Sequence, residues 1–189
     1  MGIVMKDVRG YLKLDEVEQV INHGKRYRDR VIMRILWATG CRAGELLMIC
    51  VEDVSWKDRL MALWTLKRKK HIQRVISVDE KTISILKEYC QVNCIRKGAI
   101  FDITERRVEQ IVYEAGAAAG VMKVGSKKIH PHHFRHSHAV AWVRANPTME
   151  GLRKLQQRLG HADIRTTAHY LQFATEEQNA EVETVFGKF

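Results

Sequence analysis

Most apolar residues in this 189-residue chain recur at helical spacing, and the exception to that rule is what limits the fold. Residues 59–66 and 72–78 are rich in apolar and β-branched side chains and flank the basic run Lys67-Arg68-Lys69-Lys70-His71. Two such tracts predict a β-hairpin in which the basic run Lys67–His71 is the turn. Elsewhere the pattern is helical, because apolar side chains return every three or four residues. Helices are expected at about 11–23, 28–39 and from Arg42 onward, then at 79–93, 104–118, 132–145, 150–159, 163–171 and 175–185. The fold class is therefore mainly α with a small antiparallel β-sheet. No internal repeat, low-complexity tract or linker divides the chain. Residues 1–10 read as an N-terminal extension and 11–189 as one domain, its last helix a C-terminal tail.

Charge narrows the partner. Lys and Arg number 32 against 22 Asp and Glu, a net charge of +10. That balance favours a polyanion, either nucleic acid or an acidic membrane surface. The most apolar run, from Val31 to Thr39, is too short to span a bilayer and carries Arg34, so no membrane segment is expected. Cys41, Cys50, Cys90 and Cys94 read as reduced thiols of a cytosolic protein rather than a disulfide framework. Cys90 and Cys94 lie one helical turn apart, as half of a zinc site would, but no second close pair of ligands accompanies them.

Four short stretches carry chemistry-bearing side chains. Gly160 ends one helix, and Asp163 is placed to N-cap the next in Leu159-Gly160-His161-Ala162-Asp163-Ile164-Arg165-Thr166-Thr167-Ala168-His169-Tyr170. Tyr170 then falls near the end of that short helix. A phenol, with an ordinary pKa of about 10, is a poor nucleophile unless basic or cationic groups surround it. In Thr39-Gly40-Cys41-Arg42-Ala43-Gly44-Glu45-Leu46, Arg42 opens a helix where a guanidinium fork and free N–H groups both suit a phosphate. Glu45, one turn on, can hold that fork in place. His132 and Arg135, at i and i+3 within His130-Pro131-His132-His133-Phe134-Arg135-His136, share one helix face. The five histidines between 130 and 138 could instead hold a metal, but no carboxylate or cysteine stands at a fitting distance in sequence. The fourth stretch is the basic hairpin.

These stretches resemble the motifs of the tyrosine recombinases, the phage-integrase and Xer-like family. There, Thr-Gly-hydrophobic-Arg precedes Glu-Leu, His (or Lys) stands three residues before Arg and often a further His, and Leu-Gly-His and Thr-Thr lead to a nucleophilic tyrosine. Arg42, a hairpin lysine, His132, Arg135, His161 and Tyr170 follow in family order, and the likeness runs from Leu12 to about Val185. Cys41, Gly44 and Phe134 depart from the commoner residues at positions that carry no chemistry.

The resemblance implies a site-specific recombinase acting on double-stranded DNA. Tyr170 would displace a 5′-oxygen to give a 3′-phosphotyrosyl link, with Arg42, Arg135 and His161 on the non-bridging oxygens. Lys67 would protonate the leaving oxygen and His132 would assist the proton at Tyr170. Lys69 rivals Lys67, because counting from Arg42 selects Lys67 whereas counting back from Arg74 selects Lys69. Arg68, Lys69 and Lys70 are assigned to DNA contact. One ester replaces another, so neither ATP, metal nor other cofactor is expected. The family also implies a homo-tetramer on DNA that exchanges C-terminal tails, in the prokaryotic cytoplasm. The short N-terminus reads as either an excised catalytic fragment or a naturally short, fimbrial-switch-like recombinase. Type IB topoisomerase-like relaxation and a non-catalytic DNA-binding regulator stay open as alternatives.

Overall fold

The computed structural model describes residues 10–67 and 70–173, with backbone only for 66, 67, 70, 71, 172 and 173. Arg68, Lys69, the first nine residues and the tail helix expected at 175–185 lie outside the described residues. In chain order the elements are α1 (Leu14–Asn22), α2 (Tyr27–Thr39), α3 (Ala43–Leu47), β1 (Val54–Ser55), β2 (Leu60–Lys67), β3 (Lys70–Ser77), α4 (Glu80–Val92) and α5 (Glu105–Ala118). There follow β4 (Lys123–Val124), β5 (Lys127–Lys128), α6 (Pro131–Ala145), α7 (Met149–Leu159), α8 (Ile164–Ala168) and a 3₁₀ turn over His169–Phe173.

Local chemistry explains where the helices begin. Asp79 and Thr104 accept hydrogen bonds from the N–H groups of Thr82 and Arg107, capping α4 and α5, and Pro131 occupies the first turn of α6. Asp163 caps α8 by accepting from Arg165 N–H. Two helices end on glycines in the left-handed region, α2 on Gly40 (φ 65°) and α7 on Gly160 (φ 67°).

The sheet order is β1-β2-β3, all antiparallel. Its register corrects the expected long turn: Lys67 pairs with Lys70, so only two residues separate the strands, and three of the basic residues belong to strands. The run of charge suggested a turn because Lys is uncommon in strands. Ladder hydrogen bonds, however, join backbone groups whatever side chains they carry. The short β4–β5 hairpin, paired at Lys123–Lys128 and Val124–Lys127, was not expected from the sequence.

Two apolar clusters meet at α6. The larger holds Val31, Ile32, Ile35 and Leu36 of α2 with Leu46, Leu63, Leu86, Val112 and Phe134. The smaller joins Ala139, Val140 and Val143 of α6 to Leu152, Leu155 and Leu159 of α7, and to Tyr11 and Tyr170. Because α6 is covered on most sides, its polar residues are buried as well and must find partners inside. That requirement builds the site.

Candidate active site

Arg135 is the centre of the site. It is 3% exposed, and its two terminal nitrogens donate to the carbonyls of Gly40 (2.7 Å) and Leu159 (2.8 Å). Both carbonyls lie at helix C-termini, where unpaired oxygens and the helix dipole favour a cation. Among the described residues no carboxylate stands within ion-pair distance of it. Burial, together with the nearby Arg42 charge, lowers its pKa to about 10. Gly40 is constrained twice over: its φ suits glycine, and a Cβ there would meet the His138 ring at 2.7 Å and Leu159 at 2.8 Å.

Arg42 caps α3 at the edge of this centre and keeps 38% of its side chain exposed. Glu45 holds it at two points, accepting from the Arg42 backbone N–H (3.0 Å) and guanidinium (2.9 Å). Glu45 itself is 5% exposed and also accepts from Thr65 Oγ1 (2.7 Å) and from Arg74 Nη1 and Nη2 (3.1 and 2.7 Å). Burial alone would raise its pKa, but hydrogen bonds and charge from Arg74, helped by Arg42 and Thr65, bring it down to about 2. Arg74 reaches further, donating from Nε to the Arg158 carbonyl near the end of α7 (2.8 Å). A Cβ on Gly160 would lie 3.2 Å from the Arg74 guanidinium, so that glycine leaves room for the contact.

His132 lies on the first turn of α6 with much of its surface open to solvent; partial desolvation, then the charges of Arg135 and Arg42, lower its pKa. It shares with Arg42, Glu45, Trp64, Thr65 and Glu105 the walls of a cleft of about 560 Å³. His161 follows Gly160 directly; its Nδ1 is 2.8 Å from Thr167 Oγ1, and its backbone is tied to Gln156. The backbone of Lys67 ends β2, the strand that carries Thr65, and Lys70 opens β3. The side chains of these lysines, and all of Arg68 and Lys69, lie outside the described residues.

Tyr170 is 5% exposed, with its ring in the smaller apolar cluster. Burial raises its pKa, and the Arg135 charge acts in the opposite direction. Its hydroxyl lies 2.6 Å from Nδ1 of His136, not against His132. The structure thus brings Arg42, Glu45, His132 and Arg135 into one charged cluster, with Tyr170 near enough for the Arg135 charge to act on its phenol.

Sequence reading passed over three contributors. Thr65 and Arg74 hold Glu45, and His136 holds the phenol. Arg74 had a signal: it shares strand parity with the buried Ile76 and Val78, and a cation at an inward position requires a partner. His136 had only its place after Arg135. Among the described residues, no group of three or more His, Cys, Asp or Glu side chains could hold a metal ion. No described helix is long and apolar enough to cross a membrane.

Fold and site together define a mainly helical domain in which a cluster of cations stands near the buried phenol of Tyr170. The model of the phage integrase family matches residues 10–177, and the chain belongs to that family. A tyrosine recombinase of Thermosipho africanus is 27% identical over 179 residues, covering 93% of this chain and 61% of its own length. The tyrosine recombinase XerC of Lactobacillus delbrueckii subsp. bulgaricus is 32% identical over 178 residues, covering 82% of this chain and 56% of its own. The crystal structure of a XerA recombinase matches with a TM-score of 0.73 at 26% identity, over 90% of this chain and 62% of that one. The chain thus spans little more than half the length of the curated relatives it matches.

Proposed function

We propose that residues 11–189 are the catalytic domain of a site-specific DNA recombinase that cuts and rejoins double-stranded DNA through Tyr170. The observation that carries this reading is that the Tyr170 hydroxyl bonds to His136, the residue next to the buried Arg135 on α6. Arg135 is held in place by two helix-end carbonyls. Preorganised cations of this kind stabilise charge on the non-bridging oxygens as attack proceeds, and losing one costs about 10²–10³ in rate. Arg42, held by Glu45, supplies the second such cation. His161 completes the phosphate pocket, and His132 assists the proton at Tyr170.

In the reaction, Tyr170 Oη bonds to phosphorus as the P–O5′ bond breaks, leaving a 3′-phosphotyrosyl ester and a free 5′-hydroxyl. Lys67 protonates the leaving oxygen, while Arg68, Lys69 and Lys70 grip the flanking backbone. The incoming 5′-hydroxyl reverses the process on a new strand. Because the ester bond is conserved, no ATP is consumed. Four copies assemble on DNA, each passing its C-terminal tail to a neighbour, and the setting is the prokaryotic cytoplasm.

The test is covalent capture from a random-sequence duplex pool, resolved under denaturing conditions. A 3′-linked adduct with a freely phosphorylatable 5′ end, plus joined products between two duplexes, is the expected result. Relaxation of supercoils without joint molecules would assign topoisomerase-like activity instead. DNA binding with no adduct would reduce the chain to a regulator.

A further inference from the structure

Arg158, on the last turn of α7, is a buried cation that the proposed chemistry leaves unused. It is 9% exposed, and among the described residues no carboxylate lies within ion-pair distance of it. A guanidinium kept from water needs acceptors for its N–H groups. Arg158 finds three, each on a different element. Nη2 donates to the Ala38 carbonyl of α2 (2.7 Å), Nη1 to the Ser77 carbonyl of β3 (2.8 Å) and Nε to Nε2 of His138 on α6 (3.0 Å). Its Cζ also lies over the Trp142 ring, 5.3 Å from the centroid.

The same bonds fix His138. A guanidinium only donates and a carbonyl only accepts, so Nε2 accepts from Arg158 while Nδ1 donates to the Trp37 carbonyl (2.8 Å). The ring is therefore a neutral imidazole with its proton on Nδ1. Burial and then the Arg158 charge lower its pKa to about 3, so it carries no charge near neutral pH.

Arg135 stands one turn before His138 on α6 and bridges the same two helix ends. It takes the Gly40 carbonyl, two residues past Ala38, and the Leu159 carbonyl, one residue past Arg158. Two guanidiniums thus join the end of α2 to the end of α7. The His138 ring packs against the same place, since a Cβ on Gly40 would meet it at 2.7 Å. Where Arg135 sits depends on how far apart the two carbonyls are held, and Arg158 makes the bonds that hold them.

We propose that Arg158, with His138, is a positioning residue for strand transfer: it sets the distance between the Gly40 and Leu159 carbonyls and so places the Arg135 guanidinium against the scissile phosphate. It acts through Arg135 and not on the DNA itself. The assignment rests on the proposed recombinase reading, with Arg135 as a phosphate-binding cation. Lysine is no substitute at 158, because a single ammonium cannot reproduce a planar fork that serves three separate acceptors.

The test uses the full chain and a duplex recovered by covalent capture with the parent protein. Duplex affinity and single-turnover adduct rate are read together, on variants whose circular dichroism matches the parent. Arg158→Lys fills the space and keeps the charge but loses the fork. It should bind the duplex as the parent does and form adduct about 10²-fold more slowly, the scale of a misplaced catalytic group. Arg158→Ala should lose at least as much. His138→Phe, which keeps a ring but removes the acceptor for Nε, should lose about tenfold. Double variants supply a readout that general damage to the fold would not move. Arg135→Ala should itself be about 10²–10³-fold slow, and adding Arg158→Lys to it should cost less than about threefold more, because no guanidinium remains to be displaced. Added to Arg42→Ala, the same change should cost its full factor, since Glu45 holds that cation by separate bonds. An Arg158→Lys rate equal to the parent's would overturn the proposal. So would a loss that multiplies equally with both partners, which describes a weakened scaffold, or a loss confined to affinity, which describes a DNA contact. Arg135→Ala forming adduct at the parent rate, or no adduct from the parent, would instead remove the role of Arg135 on which the proposal stands.

Discussion

At the scale of single residues, Glu45 shows how much one buried carboxylate organises. It accepts from Arg42, Thr65 and Arg74 at once, so it fixes the position of one proposed catalytic cation by leaning on a cation of the scaffold. Its pKa falls from an ordinary 4.5 to about 2, worth about 3 kcal/mol of folding stability when ionised. A lowered carboxylate pKa gives stability that is complete above about 4.5 and is lost as pH falls through about 2. Glu45→Gln should therefore be about 3 kcal/mol less stable than the parent in urea at pH 7, with the gap narrowing steadily towards pH 2. A gap that does not change with pH would mean that packing, not charge, accounts for the loss. Gly40 offers a second test. Gly98→Ala meets nothing within 4 Å and should show only the strain of its φ of 74°, about 1–2 kcal/mol. Gly40→Ala adds overlap with His138 and Leu159 and also disturbs the carbonyl that holds Arg135. It should be the more destabilised of the two in thermal melting, and equal losses would deny the close approach.

At the scale of elements, the hairpin separates what the sequence makes legible from what it does not. Its existence was readable from two β-rich tracts, but not its register, because five consecutive basic residues hide where the ladder ends. The two-residue connection between Lys67 and Lys70 leaves Lys67 in strand, two positions after Thr65. A test with sulfur at the scissile 5′ position decides between the rival lysines, since a thiolate leaves without help from an acid. Lys67→Ala should cleave ordinary DNA about 10²–10⁴-fold slowly and recover on the sulfur substrate. Lys69→Ala should lose little on either, its effect growing with salt. The reverse pattern would move the acid to Lys69. Some helix ends were legible for a physical reason: Asp163, Gly40 and Gly160 are local signals, and each does in the structure what its chemistry requires. What escaped reading is contact across distance. Arg74 meets Glu45 over 29 positions and His136 meets Tyr170 over 34, pairings set by how β3 and the 3₁₀ turn pack, not by any spacing along the chain.

At the scale of the whole molecule, a net charge of +10 and a buried phenol pull on the same question of how the proposed DNA substrate would reach the site. Contacts to phosphate make affinity fall steeply with salt, so binding should lose about 10³-fold or more between 50 and 200 mM salt if at least six phosphates are engaged. A salt-independent affinity would mean that binding does not run through phosphate contacts. The proposed tail exchange makes a separate claim: deleting residues 175–189 should spare the fold and single-site binding yet weaken cooperative assembly on paired sites. Unchanged assembly would show that the tail serves its own domain. Beneath all of these stands the identity of the nucleophile. Protein trapped on DNA can be digested with protease and nuclease and its nucleotide-bearing peptide sequenced by mass spectrometry. The nucleotide should sit on Tyr170 through its 3′-phosphate, and the Tyr170→Phe protein should yield no such peptide while binding DNA as before. A nucleotide on any other residue, or a modified peptide from the Phe variant, would contradict the assignment of Tyr170.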